Sequence, residues 1–264
     1  MTSRDSHLKA LCKLLRSCQP RHDLYTVFAD CMEASAIAIS NSVDAGQREA
    51  RESRYLEIVA RYDRDIIDLF PRVLGELTLA LECEPGDILG AAFGELELHN
   101  TARGQFFTPY EVCRMMAMVT VGKREQLLDL IERHGFVRAA EPACGAGAMI
   151  IALAEAMREE GINYQRHLHV TAVDIDARAA HMAYIQLSLL HIPATVVVGN
   201  SLSLETREVW YTPAHIVGGW SRKLAARQAE RTAVSLLSDA GPSDEGTEPA
   251  RPQTAEPPRQ LTLF

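Results

Sequence analysis

The sequence predicts an α/β protein in which half of a doubly wound sheet follows a helical region. Three observations carry this. An apolar run (Phe136, Val137, Ala139, Ala140) leads into Glu141-Pro142-Ala143-Cys144-Gly145-Ala146-Gly147, and then into an apolar-periodic segment (Met149, Ile150, Ile151, Leu153, Ala154). A second apolar run, His169 to Val173, ends on Asp174; a helical pattern over 177–190 and a third run, Ala194 to Val198, follow it. Before all of these, about the first hundred residues repeat apolar positions at helix spacing.

The helical region comes first. Leu8, Leu11, Leu14 and Leu15 share one face, as do Leu24, Val27, Phe28, Cys31 and Met32, and then Tyr55, Leu56, Val59 and Tyr62. Pro20, Gly46 and Glu84-Pro85-Gly86 punctuate these helices. In the sheet, the glycines after the first strand permit a tight turn and let a bound nucleoside approach bare backbone at a helix N-terminus. A Gly-x-Gly alone fits an ordinary strand-to-helix loop equally well. Asp174, at the end of the second strand, is placed to accept hydrogen bonds from ribose hydroxyls. The third strand ends in Gly199-Asn200-Ser201-Leu202, and the short stretch left before Trp220 and a helical-looking segment makes the sheet look short, with much of its second half missing or supplied by something else.

Gly104-Gln105-Phe106-Phe107-Thr108-Pro109 precedes the glycine loop by about thirty residues. Together with Pro142, Ala143, Cys144, Gly145 and Gly147, it resembles the N6-adenine DNA methyltransferases, especially the modification subunits of type I restriction systems. Asp87-Ile88-Leu89-Gly90 is similar to the segment by which those subunits enter their catalytic domain. The resemblance implies a Rossmann-like, S-adenosylmethionine-dependent methyltransferase domain with a shortened sheet, behind an N-terminal helical domain. It implies that Phe107, Thr108 and Pro109 pack over the methionine end of the cofactor. Glu141, Pro142, Ala143, Cys144, Gly145 and Gly147 would hold that end, Asp174 the ribose, and Asn200 would stand near the adenine ring. The expected organisation is a helical domain over 1–100, the methyltransferase domain over 101–220, a helix over 221–237, a linker over 238–259 and a terminal peptide over 260–264.

One departure from the family matters. Adenine methyltransferases carry an Asn/Asp-Pro-Pro-aromatic segment that holds the target amine and stacks on the flipped base, and this sequence has none. The nearest candidate is Thr212-Pro213-Ala214-His215 after Trp210 and Tyr211. In that reading Thr212 and Pro213 sit at the amine, with His215 or Tyr211 as the stacking platform. A loop with packed aromatics fits the same residues.

Composition sets the bounds. A chain of 264 residues with 47% hydrophobic content can build a core. No run approaches the ~20 apolar residues that span a membrane, and no leader is recognisable, so a cytoplasmic protein is expected. The six cysteines lack C-x-x-C spacing and the nine histidines lack ligand spacing, which implies neither zinc nor disulfides. A net charge of −8 opposes wholesale binding to duplex DNA. Two basic clusters (Lys9, Lys13, Arg16, Arg21 and Arg222, Lys223, Arg227, Arg231) fit a nucleic-acid backbone or solvated helix faces.

Residues 238–259 carry five prolines and five acids with no large apolar side chain, as a disordered linker does. The chain then ends on Gln260-Leu261-Thr262-Leu263-Phe264. This peptide resembles the bacterial sliding-clamp-binding motif, with Gln260 making polar contacts and Leu261, Leu263 and Phe264 as apolar anchors; folding back onto its own domain is the alternative. The expected function is a DNA adenine-N6 methyltransferase of low specificity, brought to DNA, single strands included, by the clamp. A catalytically degenerate adaptor with the same fold is the runner-up, and a methyltransferase acting on RNA or protein the third reading.

Overall fold

The first helix begins where the sequence offers a cap. In the computed structural model, which describes residues 3–98, 108–239 and 261–262, the Ser3 side chain accepts from the Ser6 backbone N–H and opens α1 (Arg4–Arg16). It satisfies one of the donors that every helix start leaves unpaired. Asp23 does the same for α2 (Leu24–Asn41). Then follow α3 (Arg48–Val59), α4 (Arg64–Ile67), α5 (Phe70–Cys83) and α6 (Ile88–Glu95). The first two apolar stripes read from the sequence point inward: Leu11, Leu15, Val27, Phe28 and Cys31 are buried, and Phe28 meets Phe93 edge to face at 5.5 Å; in the third, Leu56 is exposed, Tyr55, Val59 and Tyr62 are half-buried, and Ile58 is the residue that enters the core.

The α/β part contains α7 (Tyr110–Val121), α8 (Arg124–His134), β1 (Val137–Glu141), α9 (Ala148–Glu159), α10 (Tyr164–His167), β2 (Leu168–Asp174), α11 (Ala177–Leu189) and β3 (Ala194–Asn200). After these come β4 (Glu205–Tyr211), α12 (Pro213–Val217), α13 (Trp220–Asp239) and the two-residue β5 (Leu261–Thr262). The sheet order is β4-β3-β2-β1-β5. Strands β1, β2 and β3 are parallel, and β5 pairs parallel to β1 through Ala139–Leu261 and Ala140–Thr262. β4 runs antiparallel to β3.

The sequence pattern assigns no strand to residues 203–219, yet β4 stands there. Its first four residues are exposed, so it lacks the apolar run that marks the buried strands. Arg51 holds it from the helical side. That buried guanidinium donates to Ser40, to Asp44 at 2.9 Å and to the Val209 carbonyl at 3.0 Å, and it lies 4.0 Å over the Trp210 ring. One continuous hydrophobic core joins the helical region to the sheet.

The tightest link across that junction is a single amide. Gln186, fully buried on α11, accepts from the Ile88 and Leu89 N–H groups at 2.8 and 3.0 Å. Its own NH2 donates to Asp87 Oδ1 at 2.9 Å and to the Ala146 carbonyl at 2.8 Å. All four hydrogen-bonding positions of the amide are used, and they tie the start of α6 to the glycine loop. Gln186→Leu takes the partner from the buried Leu89 N–H and Ala146 carbonyl, while the Ile88 N–H keeps the Gly86 carbonyl at 3.1 Å; each lost partner costs about 1–3 kcal/mol. Urea unfolding of this variant should show a loss of roughly 4 kcal/mol; a loss below about 1 kcal/mol would mean the amide is not what holds the junction.

Candidate functional site

Parallel strands put their carboxyl ends at one edge of a sheet, where open α/β folds bind ligands. Here that edge carries Glu141, Asp174 and Asn200, the last residues of β1, β2 and β3. The loop after β1 is built by backbone hydrogen bonds: Cys144 N–H donates to the Val173 carbonyl at 2.8 Å and Gly147 N–H to the Cys144 carbonyl at 2.8 Å. Gly145 (φ 53°) and Gly147 (φ 97°) take the left-handed conformation that side chains resist. Gly147 also caps α9 and faces the Ala183 backbone of α11, 3.5 Å from where a Cβ would stand.

Two carboxylates lie under this loop. Asp174 accepts from Gly145 N–H at 2.8 Å through one oxygen and from Asp176 N–H at 2.9 Å through the other. Burial raises its pKa, against those hydrogen bonds. Glu141 is 1% exposed; its Oε1 accepts from Ala143 N–H at 3.1 Å, while Oε2 has no partner. Burial, aided by the nearby Asp174 charge, pushes the Glu141 pKa up to about 7. An unpartnered buried carboxylate oxygen beside a second acid is what a cationic hydrogen-bond donor complements.

The remaining expected residues divide. Ala143 and Cys144 belong to the loop, and the Cys144 thiol is buried, with its pKa raised well above the usual thiol value by that burial. It stays protonated and is no nucleophile. Pro142 is exposed beside it. Asn200 spends its side-chain carbonyl on the Leu202 and Ser203 N–H groups, at 2.9 and 3.3 Å, so only its NH2 is left to serve a ligand. Thr108 and Pro109 are exposed at the start of α7, and α7 packs along α9, the helix that the glycine loop opens. Phe107, Gln260, Leu263 and Phe264 lie outside the described residues.

Thr212, Pro213 and His215 are not brought to this edge. Thr212 is fully buried and belongs to the start of β3: its hydroxyl accepts from Ala194 N–H at 2.9 Å and donates to the Ile192 carbonyl at 2.9 Å. Pro213 opens the short α12 beside it. His215 meets His169, near the start of β2, at 2.9 Å between ring nitrogens, and Ser221 Oγ at 2.9 Å. Burial lowers the pKa of both rings, that of His169 to about 3, with the neighbouring His215 and Arg138 adding to it. This cluster sits one strand length from the glycine loop, about 20 Å for seven residues. The expected amine-binding role of Thr212, Pro213 and His215 is therefore corrected: they cap α12 and pack the far end of the sheet. The reason is β4, whose antiparallel course carries the chain back to the beginning of β3. Sequence distance from Asn200 gave no sign of that reversal.

Sequence reasoning missed Gln186, and it missed Asp176, which caps α11 and holds Arg178 through paired contacts. The Asp-Ala-Arg spelling after β2 was the available signal for the cap; a lone Gln within an apolar helix gives none.

A family model described as N-6 DNA Methylase matches residues 86–220, just over half of the chain. No curated protein matches the sequence. Among solved structures, a Listeria monocytogenes protein described as a class I S-adenosylmethionine-dependent methyltransferase is 14% identical, with a TM-score of 0.41 over 75% of this chain. A DrdV–DNA complex is 14% identical, with a TM-score of 0.38 over 76% of this chain. The chain spans 55% of the first protein's length and 23% of the second's.

The sign of the Glu141 shift makes a stability prediction. A carboxyl held above its ordinary value favours the protonated fold, so the penalty is absent below about pH 4.5, grows as pH rises towards 7, and is constant beyond. Its full size is about 3 kcal/mol. Without ligand, Glu141→Gln should therefore be more stable than the parent protein at pH 8, and no more stable at pH 4.5, in denaturant midpoints measured at both values. Equal stability at pH 8 would show that the carboxyl is not desolvated.

Proposed function

The chain belongs to the N-6 DNA methylase family, and on that premise we propose that it serves as an S-adenosylmethionine-dependent DNA adenine-N6 methyltransferase of low sequence specificity. Single-stranded DNA would be among its substrates, and Gln260-Leu261-Thr262-Leu263-Phe264 would dock on the bacterial sliding clamp. The observation that carries the reading is the unpartnered Oε2 of Glu141 beneath a loop of left-handed glycines. When bound, S-adenosylmethionine supplies a methyl group on a cationic sulfonium.

The residues present fit that cofactor. Glu141 is the acceptor for its ammonium group, and the amides at the N-terminus of α9 favour its carboxylate. Asp174 keeps a lone pair on each oxygen for ribose hydroxyls after accepting one backbone N–H apiece. Ile175, next in the chain and 62% exposed, offers an apolar face to the adenine ring, and the Asn200 NH2 is a donor beside it. Glu141 and Asp174 together offset the net positive charge of such a ligand. Burial makes each contact stronger than it would be in water.

A second reading is favoured by the position of Thr212 and His215. With those side chains buried at the far end of the sheet, the described residues contain no group at the cofactor edge to hold a target amine. A cofactor-binding adaptor that acts through its clamp peptide is consistent with that.

Purified protein incubated with labelled S-adenosylmethionine and with single- or double-stranded DNA should yield N6-methyladenine after digestion. Cofactor binding without product favours the adaptor. Cofactor affinity should be level above pH 7 and fall about tenfold per pH unit below it as Glu141 protonates; Glu141→Gln should bind more weakly and flatten that profile. Deleting Gln260 to Phe264 should abolish binding to the clamp and leave cofactor affinity unchanged; unaltered clamp binding would sink that assignment.

A further inference from the structure

At the end of the sheet opposite the cofactor edge, three proton-carrying side chains stand in a line. His169 Nε2 lies 2.9 Å from His215 Nδ1, and His215 Nε2 lies 2.9 Å from Ser221 Oγ. Both rings are 2% exposed, whereas Ser221 is exposed. The line therefore runs from a ring closed off inside the fold to a hydroxyl that meets solvent. Packing holds the rings in place: Trp220 lies against His169 at 5.3 Å between centroids, and Tyr211 against His215 at 4.7 Å.

Burial keeps both rings neutral, so each carries a proton on one nitrogen. With the His215 proton on Nδ1, that nitrogen donates to His169 Nε2, and His215 Nε2 is left to accept from the Ser221 hydroxyl. A ring nitrogen that accepts from a serine hydroxyl, while its other nitrogen is fixed by a buried acceptor, makes the hydroxyl a nucleophile. Ser221 also sits where negative charge is favoured. It is the second residue of α13, whose first intrahelical bond runs from Lys223 N–H to the Gly219 carbonyl. The Ser221 and Arg222 N–H groups have no acceptor within the helix and carry the positive end of its dipole. The Lys223 ammonium, 4.3 Å over the Trp220 ring, adds a positive charge to the same turn. On the N-terminal side of the serine, a Cβ on Gly219 would meet nothing within 4 Å, and Val217 is 80% exposed. The chain there leaves room for a ligand and offers it an apolar contact.

We propose that Ser221, His215 and His169 form a second site, separate from the cofactor edge, at which Ser221 takes the acyl group of a small carboxylic ester. Ser221 Oγ attacks the carbonyl carbon, and its proton passes to His215 Nε2 as the new O–C bond forms. The carbonyl oxygen becomes negative at the N-terminus of α13. His215 then gives the proton to the alcohol oxygen as the ester C–O bond breaks, which leaves acyl-serine and free alcohol. Water attacks the acyl carbon by the same route and releases the acid and the serine. Ser221 is the nucleophile and His215 the general base and acid; His169 is a positioning residue that fixes the His215 tautomer. A neutral imidazole in the third place orients the base but stabilises an imidazolium less than a carboxylate does. Esters are therefore within its reach and amides are not. The site stands independently of the methyltransferase reading.

The test treats the full chain with diisopropyl fluorophosphate, which phosphorylates an activated serine with loss of fluoride, and with p-nitrophenyl acetate. Mass spectrometry should find the phosphoryl adduct on Ser221, and ester hydrolysis should open with a burst of p-nitrophenolate. Ser221→Ala, at an exposed position, should keep the parent's urea midpoint and lose both signals. His215→Gln should slow adduct formation about a hundredfold. His169→Phe fills the same space without an acceptor and should slow it comparably. His169→Gln, whose amide oxygen can accept from His215 Nδ1, should bring the rate back to within about tenfold of the parent. A merely structural histidine pair would not separate those two variants. No adduct on Ser221 would overturn the proposal, as would an adduct that forms equally fast on the urea-unfolded chain or on His215→Gln, or equal rates for His169→Phe and His169→Gln.

Discussion

The glycine loop is held in place by an amide that belongs to neither the loop nor the strand before it. Gln186 reads the first two N–H groups of α6 on one side and the Ala146 carbonyl on the other, with Asp87 completing its set. Asp87 is itself committed, since its Oδ1 also caps α6 through Gly90 N–H at 2.8 Å. Gly90 has to be glycine: a Cβ there would stand 2.0 Å from Asp87 Oδ2. The helical region is therefore part of the cofactor site's framework. A buried amide with every position filled specifies one arrangement, because any shift would leave several polar groups unpaired at once.

That rigidity has an electrostatic purpose. Glu141, Asp174 and Asp87 are all buried acids whose pKa values burial raises. Asp87 and Asp174 are met by hydrogen bonds from within the fold, whereas Glu141 keeps one oxygen free. The ligand-free protein thus carries a destabilising carboxylate at its centre, and a cationic ligand offsets that cost by the same interaction that binds it. On the proposed reading, stability and cofactor affinity are linked through one atom. Preorganised sites commonly show this opposition, in which the residue that most weakens the empty fold is the one that ligand needs.

Much of this was legible in the sequence. The strands β1, β2 and β3 announce themselves as short apolar runs, each ending in glycine or an acid, because strands buried on both faces need such runs. Elements governed by tertiary partners were not legible. β4 is half charged and persists through Arg51, Trp210 and its pairing with β3. The turn that reverses the chain is local, with Asn200 accepting from Leu202 and Ser203 and Leu204 at φ 60°. Its consequence is global, since it decides at which end of the sheet Thr212 and His215 arrive. Position along the chain anticipated that Glu141, Asp174 and Asn200 share one edge, because each ends a parallel strand. The same logic failed for the amine-binding residues at the first antiparallel one.

Two residues of the peptide proposed to dock on a clamp are paired to the sheet. Paired with Ala139 and Ala140, Leu261 and Thr262 extend the sheet beyond β1; in the proposed docking the same residues would lie in another protein's groove. Both cannot hold at once, and a two-residue pairing is a weak competitor beside apolar anchors filling a pocket.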